Sequence, residues 1–572
     1  MASTSSSQPK EVDILIAGFG AAGACAAYEA MESAERRGEK INILLTDRFE
    51  GGGATSRSGG IVYFGGGTDV QKKLGLNDDV ENMYRYLKVE TGDAVSDETL
   101  WRFCVTSAES AAWLRDSLKM HINVPDETAL LCPFKTSNAP DKYSVFYSGS
   151  ETAHPFSVEA RAVPRGHKAV GPGNLVGTGN VLFAEMERAV LNAKDRGITV
   201  QTYTKVVELL WNDSKTRIVG AKLASMANAP FWVLGLYYSL IRYGGLTNPM
   251  PGLDPYVASM LQSLEARYSE TSTVLAKRGV ILCTGGFGRN HALVEQYVPK
   301  YLGCMPLGSA SDDGHGIFEL GIKQANARTL NMRNASAWKF IVPAGSMAKG
   351  LLVNKAGERI INEDVYGARL AEMSMLHNDG KGYLILDHKL HDECMHEVWN
   401  GEMLLFQKAF TILNLKWNRI KANTLEELVK ATGATKLIET IKEYNQGVEK
   451  CADPKFGKQK HLLSTIEQGP FYAIIFDSHG TLWPTPYFTL GGLDVDELTG
   501  QVRNNDGQLI PGLFAAGRVA SGVCSKSYVS GLSLADCVFS GRRAARYMVT
   551  GEVYGGQIPP VPEFKRRLPA KL

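Results

Sequence analysis

No two of the nine cysteines are spaced C-x-x-C, so neither a thiolate zinc ribbon nor a redox dithiol is encoded. Their scatter along 572 residues also gives no disulfide framework and fits a reducing compartment. Charge of one sign is equally scarce. Lys and Arg number 62 against 60 Asp and Glu, leaving +2, so no polyanion-seeking field exists and no nucleic-acid partner is expected. No segment offers the roughly 18 consecutive apolar residues of a spanning helix. The opening MASTSSSQPKEVD has no apolar h-region, which argues against a secretory signal. Residues 1–10 read as a disordered arm. The expected location is intracellular, cytoplasmic or peripherally attached to a membrane, and not secreted. Internal repeats are absent and no metal site is expected. What remains is ordinary for a globular chain of more than one domain, with 44% hydrophobic and 21% charged residues.

The most informative segment present runs from Asp13 to Gly23, an apolar strand entering G-x-G-x-x-G. In such a unit Gly18 makes the tight turn, Gly20 lets the backbone touch a pyrophosphate, and Gly23 lets the following helix pack closely. The helix start, with Ala22 in its first turn, aims N–H groups and a positive dipole end at phosphate. A second predicted strand, 41–46, ends on Asp47, where dinucleotide folds place an acid on ribose hydroxyls. The other reading of Asp47 is a strand-end turn residue. Arg48 follows it.

Glycine-dense loops cover 51–60 and 65–67, and a helical stretch covers 81–118. A strand pair at 205–223 precedes a third strand at Gly279, but about 45 residues intervene. That insert holds Phe231-Trp-Val-Leu-Gly-Leu-Tyr-Tyr-Ser-Leu-Ile241, too short to span a bilayer and rich in interfacial residue types. Two readings stay open: a peripheral membrane patch through 229–243, and a buried helix of an enlarged cap or an oligomer contact. The expected layout is an FAD-binding domain at 11–304 and 471–572, an apolar insert at 225–269, and a cap domain at 305–470.

These pieces, in this order, resemble the FAD-dependent fumarate reductase and 3-ketosteroid dehydrogenase superfamily. The matching residues include Gly65-Gly-Gly-Thr68, Pro164-Arg-Gly-His167, Glu363-Asp-Val-Tyr366, Phe488-Thr-Leu-Gly-Gly492, Gly512-Leu-Phe-Ala-Ala-Gly-Arg518 and Tyr528-Val-Ser-Gly-Leu-Ser-Leu534. The last resembles the bacterial 4-ene (5α) type most specifically; the 1,2-desaturating branch usually has Tyr-Pro-Gly there. Fungal relatives acting on steroid-like triterpenoids fit equally. The resemblance implies an α/β fold, a Rossmann-like FAD-binding domain split around an inserted α+β cap. It places the flavin against Gly18, Gly20, Ala22, Gly23, Asp47, Arg48, Gly53, Ala54, Thr55, Ser58, Gly59, Gly60, Thr284, Gly285, Gly517, Ser533 and Leu534. No histidine lies in 51–60, where covalent family members carry their FAD-linking residue, so FAD is expected to be non-covalent.

Fumarate reductases carry adjacent histidines where this chain has Tyr487 and Phe488. Aromatic groups there favour a large apolar ring system over a dicarboxylate. The implied activity is therefore a ring-A double bond, 1,2 or 4,5α, introduced beside the C3 ketone of a steroid or steroid-like triterpenoid. By resemblance Tyr528 takes the α-proton, Tyr366 lies hydrogen-bonded nearby, and Ser530 relays the proton, unless Ser530 only caps the last helix. The ketone oxygen is expected on a backbone N–H near Gly531 or Leu532 at that helix start. Arg57 departs from the 4-ene branch; it contacts flavin phosphate or substrate, tunes a tyrosine, or sits in a surface ion pair. His167 and His315 read as structural. The electron acceptor is expected to be a quinone or oxygen. Two other functions stay open: a fumarate-reductase-like enoate reductase, and a membrane-bound flavoprotein relaying electrons without steroid chemistry.

Overall fold

Ile14, Leu15 and Ile16 have no solvent exposure at all, the mark of a strand covered on both faces of a parallel sheet. They belong to β1 (Lys10–Ala17), the central strand of the molecule. The computed structural model describes residues 9–120, 145–169, 178–244, 254–339, 345–400, 405–480 and 485–567. β1 turns directly into α1 (Ala21–Arg36), followed by β2 (Ile43–Thr46). The short α2 (Gly53–Arg57) and β3 (Ile61–Tyr63) carry the chain along the glycine-dense loop. β4 (Gly166–Lys168) pairs antiparallel with β3. Then come β5 (Ile198–Gln201), β6 (Thr204–Trp211) and β7 (Ile218–Ser225).

The insert folds as two helices, α3 (Phe231–Gly244) and α4 (Asp254–Tyr268). It ends in β8 (Glu270–Leu282), a strand of 13 residues. The first half of β8 pairs antiparallel with β7, and from Val274 onward it runs parallel to β1. The third strand therefore begins nine residues before the glycine at which the sequence placed it.

A second body follows. Its sheet consists of β9 (Leu351–Asn354), β10 (Lys381–Leu386), β11 (Arg419–Ala422) and β12 (Phe471–Asp477), all antiparallel, in the order β9-β10-β12-β11. Its own core gathers Leu352, Leu384, Leu390, Leu437 and Phe476. The helix α5 (Gly367–His377) starts directly after Tyr366. This cap differs from the expected 305–470 at both ends. β12 lies in the middle of the cap sheet, while Ile317, Leu320 and Met332 pack with strand residues of the first body such as Leu15, Val280 and Leu282.

The chain then returns through β13 (Pro486–Thr489), β14 (Gln501–Arg503), β15 (Leu509–Ala515) and α6 (Leu532–Thr550). β15, β8, β1, β2 and β5 form the parallel sheet in that order, with β14 antiparallel at the edge. α1 is buried on nearly every side because it is wedged between this sheet and α6, and Gly541 permits the approach: a Cβ there would lie 2.5 Å from the Ala22 carbonyl oxygen.

Candidate active site

The carboxyl ends of β1, β8 and β15 meet at a crevice, the position where open α/β sheets bind ligands. Gly18 has φ +108°, and a Cβ on it would sit 2.4 Å from the Cys283 carbonyl oxygen. A Cβ on Gly23 would sit 1.9 Å from the Gly18 oxygen. These two glycines let strand, turn and helix close on one another. Gly20 is different: its Cβ would meet nothing nearer than Thr55 Oγ1 at 3.4 Å, so its bareness opens space toward a ligand. The Ala21 N–H donates to Thr55 Oγ1 at 3.0 Å and fixes α2 against the helix start.

The crevice encloses about 840 Å³, its open mouth included, within the range of cofactor sites. Gly18, Gly20, Ala22, Asp47, Arg48, Gly53, Ala54, Thr55, Thr284, Gly285 and Gly517 all line it. Asp47 is buried and accepts from the N–H groups of Phe19 and Phe49, both at 2.8 Å. Burial pushes its carboxyl upward, and these two bonds oppose that. Arg48 does not offer a free cation: its guanidinium is forked between Glu265 of α4 and Asp313, at 2.6 Å each. Ser58, Gly59 and Gly60 shape the loop behind the lining. Ser58 Oγ donates to the Thr55 carbonyl and accepts from the Gly60 N–H. Ser533 and Leu534 are half-buried in the first turn of α6.

Several lining residues were not legible in the sequence. Lys205, Asp312, Asp313, Arg518 and Cys537 face the same space, and Arg518 is held by Asp312 at 2.6 Å. Lys205, Asp312, Asp313 and Arg518 come from strand ends and loops without periodicity, and Cys537 from α6. The spacing of Asp312-Asp313-Gly-His315 was the only available signal. His315 gives its Nε2 to the Val206 carbonyl, and burial drives its pKa down to about 4. His167 is likewise neutral and structural, bonded to Thr68 and the Arg165 carbonyl, with burial lowering it to about 4.

Beside α6 the structure brings Tyr528, Ser530 and Tyr366 together. Both phenols interact with the Ser530 hydroxyl. Burial raises Tyr366 well above its usual range, with Tyr528 as the next cause. Burial lifts Tyr528 to about 12, opposed first by the Gly531 N–H, which donates to its oxygen at 3.1 Å. Ser530 does not cap α6; Gly531 occupies that position with φ +89°. The expected ketone rest on the Gly531 or Leu532 N–H is not available here. The first N–H bonds the Tyr528 phenol and the second bonds the Val529 carbonyl at 3.1 Å. The helix start thus stabilises the phenol oxygen itself.

Tyr487 and Phe488 do not share a face. Adjacent residues of a strand point to opposite sides, and here Tyr487 enters one core while Phe488 packs at the other. Tyr487 stacks on Tyr301 and donates to the Gly288 carbonyl at 2.7 Å. Phe488 meets Tyr528 edge to face at 4.9 Å, so only Phe488 borders the phenols. Arg57, exposed at the end of α2, donates to the Ile241 carbonyl of α3 at 3.3 Å.

The insert is a helical hairpin on the FAD side. Val233, Tyr237 and Ile241 recur every fourth residue and pack with Leu261 against Phe49 and Met226. The opposite faces carry Phe231 at 88% exposure, Tyr256 at 70% and Trp232 at 58%. Among the described residues no helix is long and apolar enough to cross a membrane.

The family model described as FAD binding domain matches residues 13–531. The chain belongs to that family. It is an FAD-dependent oxidoreductase, and the glycine cradle and crevice volume fit that cofactor. The flavoprotein is 28% identical over 516 residues to the 3-oxo-5-alpha-steroid 4-dehydrogenase of Comamonas testosteroni, covering 88% of this chain and 92% of the relative. Its fold is similar to the 3-ketosteroid-delta4-(5alpha)-dehydrogenase of Rhodococcus jostii RHA1, solved with 4-androstene-3,17-dione. That match has a TM-score of 0.75 at 28% identity, over 96% of this chain and 98% of the other. The 3-ketosteroid delta1-dehydrogenase of Sterolibacterium denitrificans shares the fold, with a TM-score of 0.61 at 18% identity over 95% of this chain and all of the other.

Proposed function

We propose that this flavoprotein desaturates ring A of a 3-ketosteroid or steroid-like triterpenoid ketone, with Tyr528 as the base. The observation that carries the reading is the cluster of Tyr528, Ser530 and Tyr366 at the start of α6. A ketone acidifies its α-hydrogens, and removing one needs a placed acceptor and an onward path for the proton. Tyr528 is held at its oxygen by the Gly531 N–H, which favours the phenolate. Ser530 joins the two phenols. Phe488 and Tyr528 together offer an apolar edge suited to a fused ring system. Bound FAD supplies the two-electron acceptor for the β-hydride. The dicarboxylate alternative is less well supported. Arg518 is taken by Asp312, Arg48 by Glu265 and Asp313, and the histidine positions are aromatic.

The insert supplies a second part of the proposal: the exposed hairpin face rests on a lipid surface. From Met226 to Ile241 the chain has no charged residue. Arg242 and Arg267 are exposed, while Glu265 of α4 is turned inward onto Arg48 and Tyr237. Exposed aromatics flanked by cations suit an anionic interface. Electrons would leave to a quinone or to oxygen.

Tyr528→Phe tests the central assignment. The variant should bind yellow FAD normally and lose oxidation of 5α-3-ketosteroids by at least about 100-fold, the lower scale of general base catalysis. Near-normal turnover overturns the assignment. Mass and NMR analysis of the wild-type product fixes the position of the double bond.

A further inference from the structure

The aromatic edge of Phe488 and Tyr528 has a neighbour on the adjoining strand. A short strand, Ala335–Ala337, pairs antiparallel with β13, placing Ser336 opposite Phe488 and Ala337 opposite Tyr487. Directly opposed residues of paired strands point to the same face, and successive residues alternate. The ladder runs one residue further, because the Trp338 N–H donates to the Pro486 carbonyl at 2.9 Å. Trp338 therefore stands on the Phe488 face, two residues on from Ser336. Ala337 packs with Tyr487 in the other core, and Lys339, on that same side, donates to the Asp477 carbonyl of β12.

The cap fixes the indole from its other side. The Lys339 N–H donates to the Gly367 carbonyl at 3.2 Å, at the start of α5. A Cβ on Gly367 would lie 2.8 Å from Trp338 Nε1 and 3.1 Å from its Cδ1, so only a glycine lets the indole rest against that helix start. The Trp338 and Tyr366 rings lie 6.4 Å apart, inclined by 42°. Across the strand pair Trp338 is the diagonal neighbour of Phe488, a backbone separation of roughly 7–8 Å that aromatic side chains bridge. Trp338, Phe488 and Tyr528 are each half-buried. The indole thus continues the aromatic surface of Phe488 and Tyr528 toward Tyr366, at the junction of the two bodies.

We propose that Trp338 is a specificity-determining wall of the substrate site: its indole packs on the fused rings beyond ring A and selects polycyclic ketones over small ones. The inference rests on the steroid-dehydrogenase reading above. A rigid aromatic side chain offers a large apolar area at little cost in conformational freedom. Here the strand ladder and Gly367 hold the indole in place before any ligand arrives. Its own strand puts no charge on that face, since Lys339 points to β12.

The rings beyond ring A take no part in the chemistry, so their contact with the indole is the same before and during proton removal. Binding of that kind shows in KM and not in kcat. A side chain that only holds Tyr366 in position would do the reverse. The contact also grows with ring number, so it favours a tetracyclic ketone over a bicyclic one. A tenfold gain in affinity needs roughly 55 Å² of apolar contact, well within the area of about 150–250 Å² that an aromatic side chain buries.

The test compares FAD-loaded wild type, Trp338→Ala, Trp338→Leu and Trp338→Phe. Turnover is measured with a tetracyclic 5α-3-ketosteroid. Binding is read from the flavin absorbance with a 1,4-diene-3-ketosteroid, which has no ring-A bond left to oxidise, and with a bicyclic dienone reproducing rings A and B alone. Trp338→Ala should raise the tetracycle's KM and Kd at least about tenfold, keep kcat within about threefold, and change the bicycle's Kd less than about threefold. Trp338→Phe should recover most of the tetracycle's affinity. An unchanged tetracycle Kd, an equal rise for both dienones, or a lost kcat with KM kept overturns the assignment. Should Trp338→Ala not load FAD, Trp338→Leu carries the test, and a tetracycle Kd equal to that of wild type overturns it. A wild type that binds no dienone and oxidises no 3-ketosteroid overturns the functional reading instead.

Discussion

Replacing Gly531 by alanine should disable the phenol without touching it. Gly531 has φ +89°, and a Cβ there would lie 2.8 Å from the Tyr63 nitrogen, 2.9 Å from Ile61 Cγ2 and 3.0 Å from the Ile61 oxygen. Two of these neighbours are backbone atoms of β3, which cannot rotate aside. The left-handed conformation costs an alanine a further 1–2 kcal/mol or so. The relief available is a shift of the Gly531 peptide away from β3, and that moves its N–H off the Tyr528 oxygen, now 3.1 Å away. A hydrogen bond to a charged group is worth about 1.5–3 kcal/mol. At 1.36 kcal/mol per unit, the phenol rises by about one to two pKa units. Oxidation at fixed pH should then fall about 10–100-fold. The assay is kcat/KM across pH with the flavin absorbance of each sample as the loading control. A variant with normal flavin binding and a rate within about twofold of wild type would refute the claim that this N–H supports the base.

Other expectations follow from the cradle and the insert. Gly23→Ala should abolish FAD binding, read by flavin absorbance and Tm, because its Cβ would fall 1.9 Å from the Gly18 oxygen. The double variant Phe231→Ser, Trp232→Ser should lose flotation with phosphatidylcholine–phosphatidylglycerol vesicles that wild type joins. Wild type that floats with no vesicle, or whose dimer in light scattering is abolished by the same change, rejects the lipid reading and assigns the face to a second copy.

Much of this molecule was legible in advance because its chemistry is local. The glycine spacing of 18–23 fixes a strand, a turn and a helix within eleven residues, and the crevice appears where that unit implies. Tyr528-Val-Ser-Gly531 was also legible, since phenol, hydroxyl and helix start are consecutive. Tyr366 was placed only by resemblance, because its approach to Ser530 depends on how the cap docks. Strand alternation decided against pairing Tyr487 with Phe488, a geometric fact that a resemblance by position overlooks. The cap boundary was misplaced because β12 enters the cap sheet between two strands contributed much earlier in the chain.

The way the hairpin joins the body has a consequence for its history. Ser225 and Glu270 are registered partners on β7 and β8, so the 44 intervening residues depart and return at facing positions. Such an addition leaves every strand alignment as it was. A tight turn could close the same gap, and the helical pair is then a detachable cassette: an accessory that a lineage can acquire, exchange or discard while the oxidation machinery beneath it stays in place.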